Sequence, residues 1–398
     1  MEALQGLDLM AYSGHERLET SAAWLKLMED ALPSVYGEGA RLSVIAALDG
    51  EGVAAAIPAV RTEALGQARP FPMDVEDLFF GLWIRHVGDR NRDLQRRAMA
   101  SRWFGAGLRR LNRSMGRGFV LHTPLAPASD ALVARRLTSN AASSALRAAQ
   151  GKARAIEAEE DSCAQITRLL QRKAGMWTDA LEGEGFIRAA TYPSAELELY
   201  ASQPSRIGQM IRRNARLVER AGIFVEISQH APEDMPLGAL FAETAGRHND
   251  PAPRLTDSLF RAIGERFAGQ VWFLSARRGR SPVGFVVAFK QGSAWEAWKC
   301  GVHRAQADTA PVYLDLVYGK LPGLAMREGG ARIELGAGQI GLKRRYGARV
   351  MPVEVYIALP PRFLGRALFS RYARAVGEGI AMAEGALNQV FSVATTPK

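Results

Sequence analysis

Cysteine is almost missing from these 398 residues: Cys163 and Cys300 are the only two, they lie far apart, and they form no metal-ligand spacing. A disulfide scaffold and a Cys-x-x-Cys zinc or redox site are thereby excluded, and a reduced, cytoplasmic setting is expected. No apolar run approaches the roughly 20 residues that a membrane-spanning helix needs. Residues 1–14 carry Glu2 and Asp8 where a secretion signal has a basic start and an apolar centre, so export is not expected. There is no Walker loop, no His-Glu-x-x-His and no Gly-x-Ser-x-Gly, which removes three large classes of hydrolase. Gly336-Ala-Gly338-Gln-Ile-Gly341 has the spacing of a dinucleotide loop, but no βαβ unit follows it and Lys-Arg-Arg-Tyr-Gly cuts the helix short.

What is present is a globular composition, 47% apolar and 23% charged, with a formal net charge of +10. The length suits two domains, and an alanine-, serine- and charge-rich helical stretch from Leu132 to Glu160 places the boundary, giving units 1–155 and 156–398. The positive charge is clustered. Ten arginines lie between Arg85 and Arg117 against two aspartates, a second group is Arg206, Arg212, Arg213, Arg216 and Arg220, and a third is Lys343, Arg344, Arg345 and Arg349. Such density suits phosphates, or a solvated helix face.

Periodicity places a helix over 22–32, strands over 42–48 and 53–60 about a turn at Asp49–Gly52, a strand at 78–84, a helix at 93–111 and a strand at 119–124. A helix is expected over 162–177, and a docking segment over 193–200. In 206–222, Ile207, Met210, Ile211 and Val218 recur at helical spacing, Arg212, Arg216 and Arg220 share another face, and Gly222 suits the C-terminal cap. A final amphipathic helix is expected over 363–390.

The stretch 271–352 organises the rest: three strands, a helix opening at Pro311, and a strand through Glu334 that leads into a basic turn. Proline suits a first helical turn, and Pro322 is expected to kink or end that helix. The ordered set of an Arg-Arg-Asn-Ala-Arg helix, Arg247-His-Asn-Asp250, a hairpin over 274–288, a Trp-Lys-Cys-Gly strand end and Glu-Leu-Gly followed by Lys-Arg-Arg-Tyr-Gly resembles the acyltransferases of the GNAT superfamily. More narrowly, it is similar to the branch that includes Fem-type peptidoglycan aminoacyl transferases. That resemblance implies an α/β (α+β) fold of two tandem GNAT-like domains, each a mixed, mainly antiparallel sheet flanked by helices. It also implies a splay between Trp295–Val302 and Arg332–Gly336, where an amine attacks an activated acyl carbonyl directly.

On that basis the candidate catalytic residues are Glu334 as base or amine-orienting group, Asp315 as second choice, and Lys343 at the oxyanion or a phosphate. Arg212, Arg213, Arg216, Arg304, Lys343 and Arg345 are candidates for the donor, and Trp298, Tyr318 and His248 for the acceptor; no metal is expected. A covalent Cys300 with His303 as its base is a weaker arrangement. The loop His303-Arg-Ala-Gln-Ala-Asp-Thr-Ala310 lacks the glycines with which GNAT enzymes hold the pyrophosphate of coenzyme A. Aminoacyl-tRNA is therefore expected as donor ahead of acyl-CoA or a carrier-protein thioester, with no tightly bound cofactor and a small-molecule or peptide amine as acceptor, in a monomer or homodimer. The rival expectation is a non-catalytic, basic nucleic-acid- or partner-binding protein on a decayed GNAT fold.

Overall fold

The computed structural model describes residues 12–13, 21–62, 119–120, 132–159, 165–170, 180–181, 183–199, 205–247, 254–303, 305, 310–336 and 338–358. The expected strand at 78–84, the helices at 93–111 and 363–390 and the arginines of 85–117 lie outside them.

The first part of the chain supplies β1 (Tyr12–Ser13), α1 (Ala22–Tyr36), β2 (Ala40–Asp49), β3 (Gly52–Thr62), β4 (Phe119–Val120), β5 (Leu132–Ala134) and α2 (Ser139–Glu159). The second supplies β6 (Gln165–Leu170), β7 (Ile187–Glu198), α3 (Ser205–Arg220), β8 (Ile223–Ser228), α4 (Leu237–Arg247), α5 (Asp257–Arg266), β9 (Val271–Arg278), β10 (Ser281–Gln291) and β11 (Ala294–Val302). A helical stretch 312–327, termed α6, then leads to β12 (Arg332–Gly336), α7 (Ile340–Arg345) and β13 (Arg349–Ala358). The strands make one mixed, mainly antiparallel sheet in the order β1-β5-β3-β4-β6-β13-β7-β12-β11-β10-β9-β8, with β2 hydrogen-bonded to β3. The parallel pairs are β4 with β6 and β11 with β12.

Helix α1 starts where the Ser21 hydroxyl accepts from the Trp24 amide, which satisfies one of the free donors of its first turn. Its apolar face does not stay with the first part of the chain. Trp24 packs against Phe267, Phe289 and Trp298 at ring-centroid distances of 5.8, 5.5 and 5.7 Å. One core therefore joins α1, α4, α5 and one face of β9–β11, crossing the expected division at residue 155. The opposite face of β8–β12 carries a second core beneath α3, α6 and α7.

Three expectations change. Gln165–Leu170 is a strand, not the start of a helix. Ile166, Leu169 and Leu170 fit a helical stripe, but here they pair with Ile357, Glu354 and Val353 of β13, and ladder pairing outweighs local spacing. The expected docking segment at 193–200 is mostly the end of the long strand β7, whose Pro193 lies opposite Pro352. Pro322 does not end α6. The helix widens into a π turn at Leu316–Lys320, where the Leu321 amide reaches the Leu316 carbonyl, and continues to Arg327. One extra residue in the turn relieves the contact that a proline ring makes with the carbonyl four residues earlier.

Candidate functional site

Strands β11 and β12 pair over only three positions, Ala294 with Arg332, Trp295 with Ile333 and Glu296 with Glu334. Beyond them β11 runs straight on to Val302. β12 instead turns toward β7 through a register shift between Glu334 and Gly336, with Gly336 at a left-handed φ of 72° that favours glycine. The splay expected between Trp295–Val302 and Arg332–Gly336 is thus present and opens just past Glu334.

Lys343 fills one side of that gap. After β12 the chain turns through Gln339, also left-handed, into α7, which returns the lysine toward the strand it has just left. Its Nζ donates to the carbonyls of Leu335 at 2.5 Å and Gly336 at 2.8 Å. An ammonium has three donors, so among the described residues one remains. The residue is 3% exposed, and burial pushes its pKa down from the usual lysine range to about 7, with Cys300 acting weakly in the opposite sense.

Around it, the partly buried Cys300 and Tyr313 and the buried Tyr318 and Tyr346 form a polar layer under α3. The Tyr318 ring stacks on Tyr346 at 4.2 Å and meets Tyr313 edge-on at 6.3 Å. The Tyr346 hydroxyl accepts from Asn214 of α3 at 2.7 Å, and the Tyr318 hydroxyl is buried beside that of Tyr313. Burial drives the Tyr313 and Tyr318 hydroxyls and the Cys300 thiol upward. A raised thiol is a poor nucleophile, which argues against the Cys300–His303 arrangement.

Glu334 stands on the other face of β12. Ile333 and Leu335 point into the core beneath α6, so the alternation of the strand turns Glu334 away from it. It lies in line with Glu296 of β11 and Glu196 of β7, and Arg332 pairs with Glu196 at 3.4 Å. Glu334 and Lys343 thus stand on opposite faces of β12 near its end.

The other expected residues are spread more widely. Asp315 is buried between α6 and α3, with both carboxylate oxygens unpartnered among the described residues; burial raises its pKa, and Lys320 opposes this. Trp298 is a core residue, stacked on Phe289 at 4.8 Å and wedged against Phe260 and Trp24. Tyr318 belongs to the polar layer beside Lys343. Arg212, Arg213 and Arg216 are exposed on α3 together with Arg206 and Arg220, and Arg345 is exposed on α7. His248 and Arg304 lie outside the described residues. Tyr313, Tyr346 and Asn214 were not singled out as site residues; Tyr346, inside Lys-Arg-Arg-Tyr-Gly, was the nearest signal.

No curated protein matches the chain. Among solved structures it is similar to FemX, at 11% identity and a TM-score of 0.49 over 89% of this chain and 94% of that one. It is also similar to a tandem GNAT protein from the clavulanic acid biosynthesis pathway, at 12% identity and a TM-score of 0.44 over 86% of this chain and 95% of that one. A third is the C-terminal domain of a putative lysylphosphatidylglycerol synthetase from Agrobacterium fabrum, at 13% identity and a TM-score of 0.44 over 64% of this chain and 82% of that one. At such identities and scores no residue role is carried across. The family model described as an acetyltransferase (GNAT) domain matches residues 205–344. The segment so matched runs from α3 to α7 and contains the splay, the buried lysine, Tyr313 and Tyr318.

Proposed function

We propose that the protein is an N-acyltransferase that forms an amide by direct attack of an amine on an activated acyl group held between β11 and β12. The observation that carries this reading is the Lys343 amine, buried at the mouth of the splay with two donors on the Leu335 and Gly336 carbonyls. Its remaining donor suits the oxyanion that forms when the carbonyl is attacked. Glu334, on the opposite face, receives the proton that the attacking amine loses. The new C–N bond replaces the C–O or C–S bond of the donor, and the departing oxygen or sulfur takes up a proton in turn. Holding donor and acceptor on the two faces of one gap supplies much of the rate.

Aminoacyl-tRNA is preferred as donor over acyl-CoA or a carrier-protein thioester. The loop 303–310 has no glycine, and α3 presents five exposed arginines, Arg206, Arg212, Arg213, Arg216 and Arg220, along about 24 Å of helix. In this reading Arg212, Arg213 and Arg216 hold the donor's phosphates, with Arg345 and Arg304 near them in sequence to the splay. Asp315 is a buried acid beneath α3 and a second candidate for handling the proton. Among the described residues no helix is long and apolar enough to cross a membrane. A cytoplasmic site of action and a division into units 1–155 and 156–398 complete the proposal.

The arginine face also favours a second reading, a polyanion-binding protein without catalysis. Two experiments separate these. In a reconstituted extract, RNase treatment abolishes amide formation if tRNA is the donor; activity that survives RNase and disappears with coenzyme A reverses the preference. Under the binding reading Glu334→Gln changes nothing.

A further inference from the structure

The GNAT family implies coenzyme A, whose pantetheine arm carries two amides between the thioester and the nucleotide. Such an arm needs hydrogen-bond partners inside the cleft, because a buried amide without them is costly. The nearest supply is the open edge of β11 beyond Glu296, where β12 no longer covers the strand.

That edge is already taken at its end. The His303 amide bonds across to Val283 of β10 at 2.8 Å, so the N–H and C=O of the preceding residue, Val302, point the other way, toward the splay. The Val302 amide donates to the Thr244 hydroxyl at 2.8 Å. Its carbonyl accepts from Arg247 Nη2 at 2.6 Å, and the same nitrogen also donates to the Thr244 hydroxyl at 3.0 Å. Thr244 and Arg247, one turn apart at the end of α4, thus stand in for a neighbouring strand. Gly301 makes the approach possible: a Cβ there would lie 2.6 Å from the carbonyl carbon of Leu240, in the middle of the same helix. Two residues before Val302 along the strand, Cys300 is the position whose backbone still faces the gap.

The far end of an arm fares no better. The loop leading to α6 has no glycine, Pro311 at its start has no amide hydrogen, the Val312 amide is used by the Ala310 carbonyl at 2.8 Å, and Asp315 stands in the first turn.

We infer that Thr244 and Arg247 determine donor class: by closing the edge of β11 at Val302 they leave a cleft that receives the activated acyl group alone, with no subsite for a pantetheine arm. This rests on the acyltransfer reading and deepens it. Recognition of the donor's carrier then falls outside the splay.

The test compares S-acetylpantetheine with S-acetyl-N-acetylcysteamine, which lacks most of the arm, using an amine acceptor and the full chain. For the natural protein kcat/KM is expected to agree within about threefold, since hydrogen bonds that are never made cannot be lost. For Thr244→Ala/Arg247→Ala, shown folded by circular dichroism, the freed Val302 groups are expected to favour the longer donor by about tenfold. A preference of about tenfold or more for acetylpantetheine in the natural protein overturns the inference whether or not the variant folds. A folded double variant that still treats both donors alike overturns the role of the two side chains. If neither thioester nor an aminoacyl ester yields amide, acyltransfer itself falls. Calorimetric titration of pantetheine into the natural protein then decides the inference separately: no saturable binding below about 1 mM is expected, and a micromolar Kd sinks it.

Discussion

The amine of Lys343 reaches back eight residues to the carbonyl of Leu335, 2.5 Å away, and so fastens the lysine to the strand that forms one lip of the splay. A buried amine whose pKa lies near 7 has consequences for both rate and stability.

If the ammonium form supports the oxyanion, kcat falls as pH rises through about 7. Lys343→Met removes the donor altogether and is expected to lower kcat by about 10²–10³-fold, the usual effect of losing one such group. Pre-steady-state measurement of amide formation between pH 6 and 9 checks this. A rate that rises through the same range assigns Lys343 to proton removal instead.

The same shift makes Lys343 a burden on folding. Its folded pKa lies below the unfolded value, so the unfolded chain binds the extra proton. The penalty is absent above about pH 10.5, grows as pH falls to about 7, and is constant below that. Lys343→Met is therefore expected to gain stability relative to the natural protein as pH is lowered, approaching about 4 kcal/mol at pH 7 before any loss from repacking. Denaturant titrations at pH 7 and pH 9.5 should show the larger gain at pH 7.

Glu334→Gln keeps the shape of the side chain and removes its basicity. Because Glu334 is only partly buried and lies where β11 and β12 part, the fold should survive. Amide formation is expected to drop by about 10²-fold or more, with a melting temperature within about 2 °C of the natural protein. Unchanged turnover would favour the polyanion-binding reading.

Arg212→Glu/Arg216→Glu reverses charge on the exposed face of α3 without touching either core. With aminoacyl-tRNA as donor, KM should rise and the salt dependence of binding should flatten by about one unit of log–log slope per arginine removed. Small thioester donors should be unaffected. Filter binding over a salt series, beside the small-donor assay, reads both.

Trp24→Ala tests the joint between the two parts of the chain. Trp24 is fully buried and packs on three aromatic rings contributed by α5, β10 and β11 or their ends. The truncation is expected to cost about 3–5 kcal/mol. A single cooperative transition at lower temperature shows that one core serves both parts; an early separate transition from residues 1–155 shows that they unfold independently.

Much of this protein is determined by local pattern. The β9–β10–β11 run and the arginine helix α3 with its cap at Gly222 follow from alternation, helical spacing and turn residues, because each burial pattern has the period of its own element; the parting of β11 from β12 was expected only from the family resemblance. Glu334 and Lys343 became candidates through the resemblance, which attached a role to a carboxylate at a strand end and to a lysine just after a glycine turn. Only the tertiary structure decided the rest. Gln165–Leu170 became a strand because β13 was there to pair with it, and Pro322 stayed inside a helix because a π turn made room for its ring. Trp298 went to the core because Trp24, more than 270 residues earlier, packs against it. Lys343 acquired a pKa near 7 from burial, and the edge of β11 was closed by Thr244 and Arg247, 58 and 55 residues before the backbone they cap. Pairing, burial and capping between distant segments depend on which surfaces meet, and no local spacing records that.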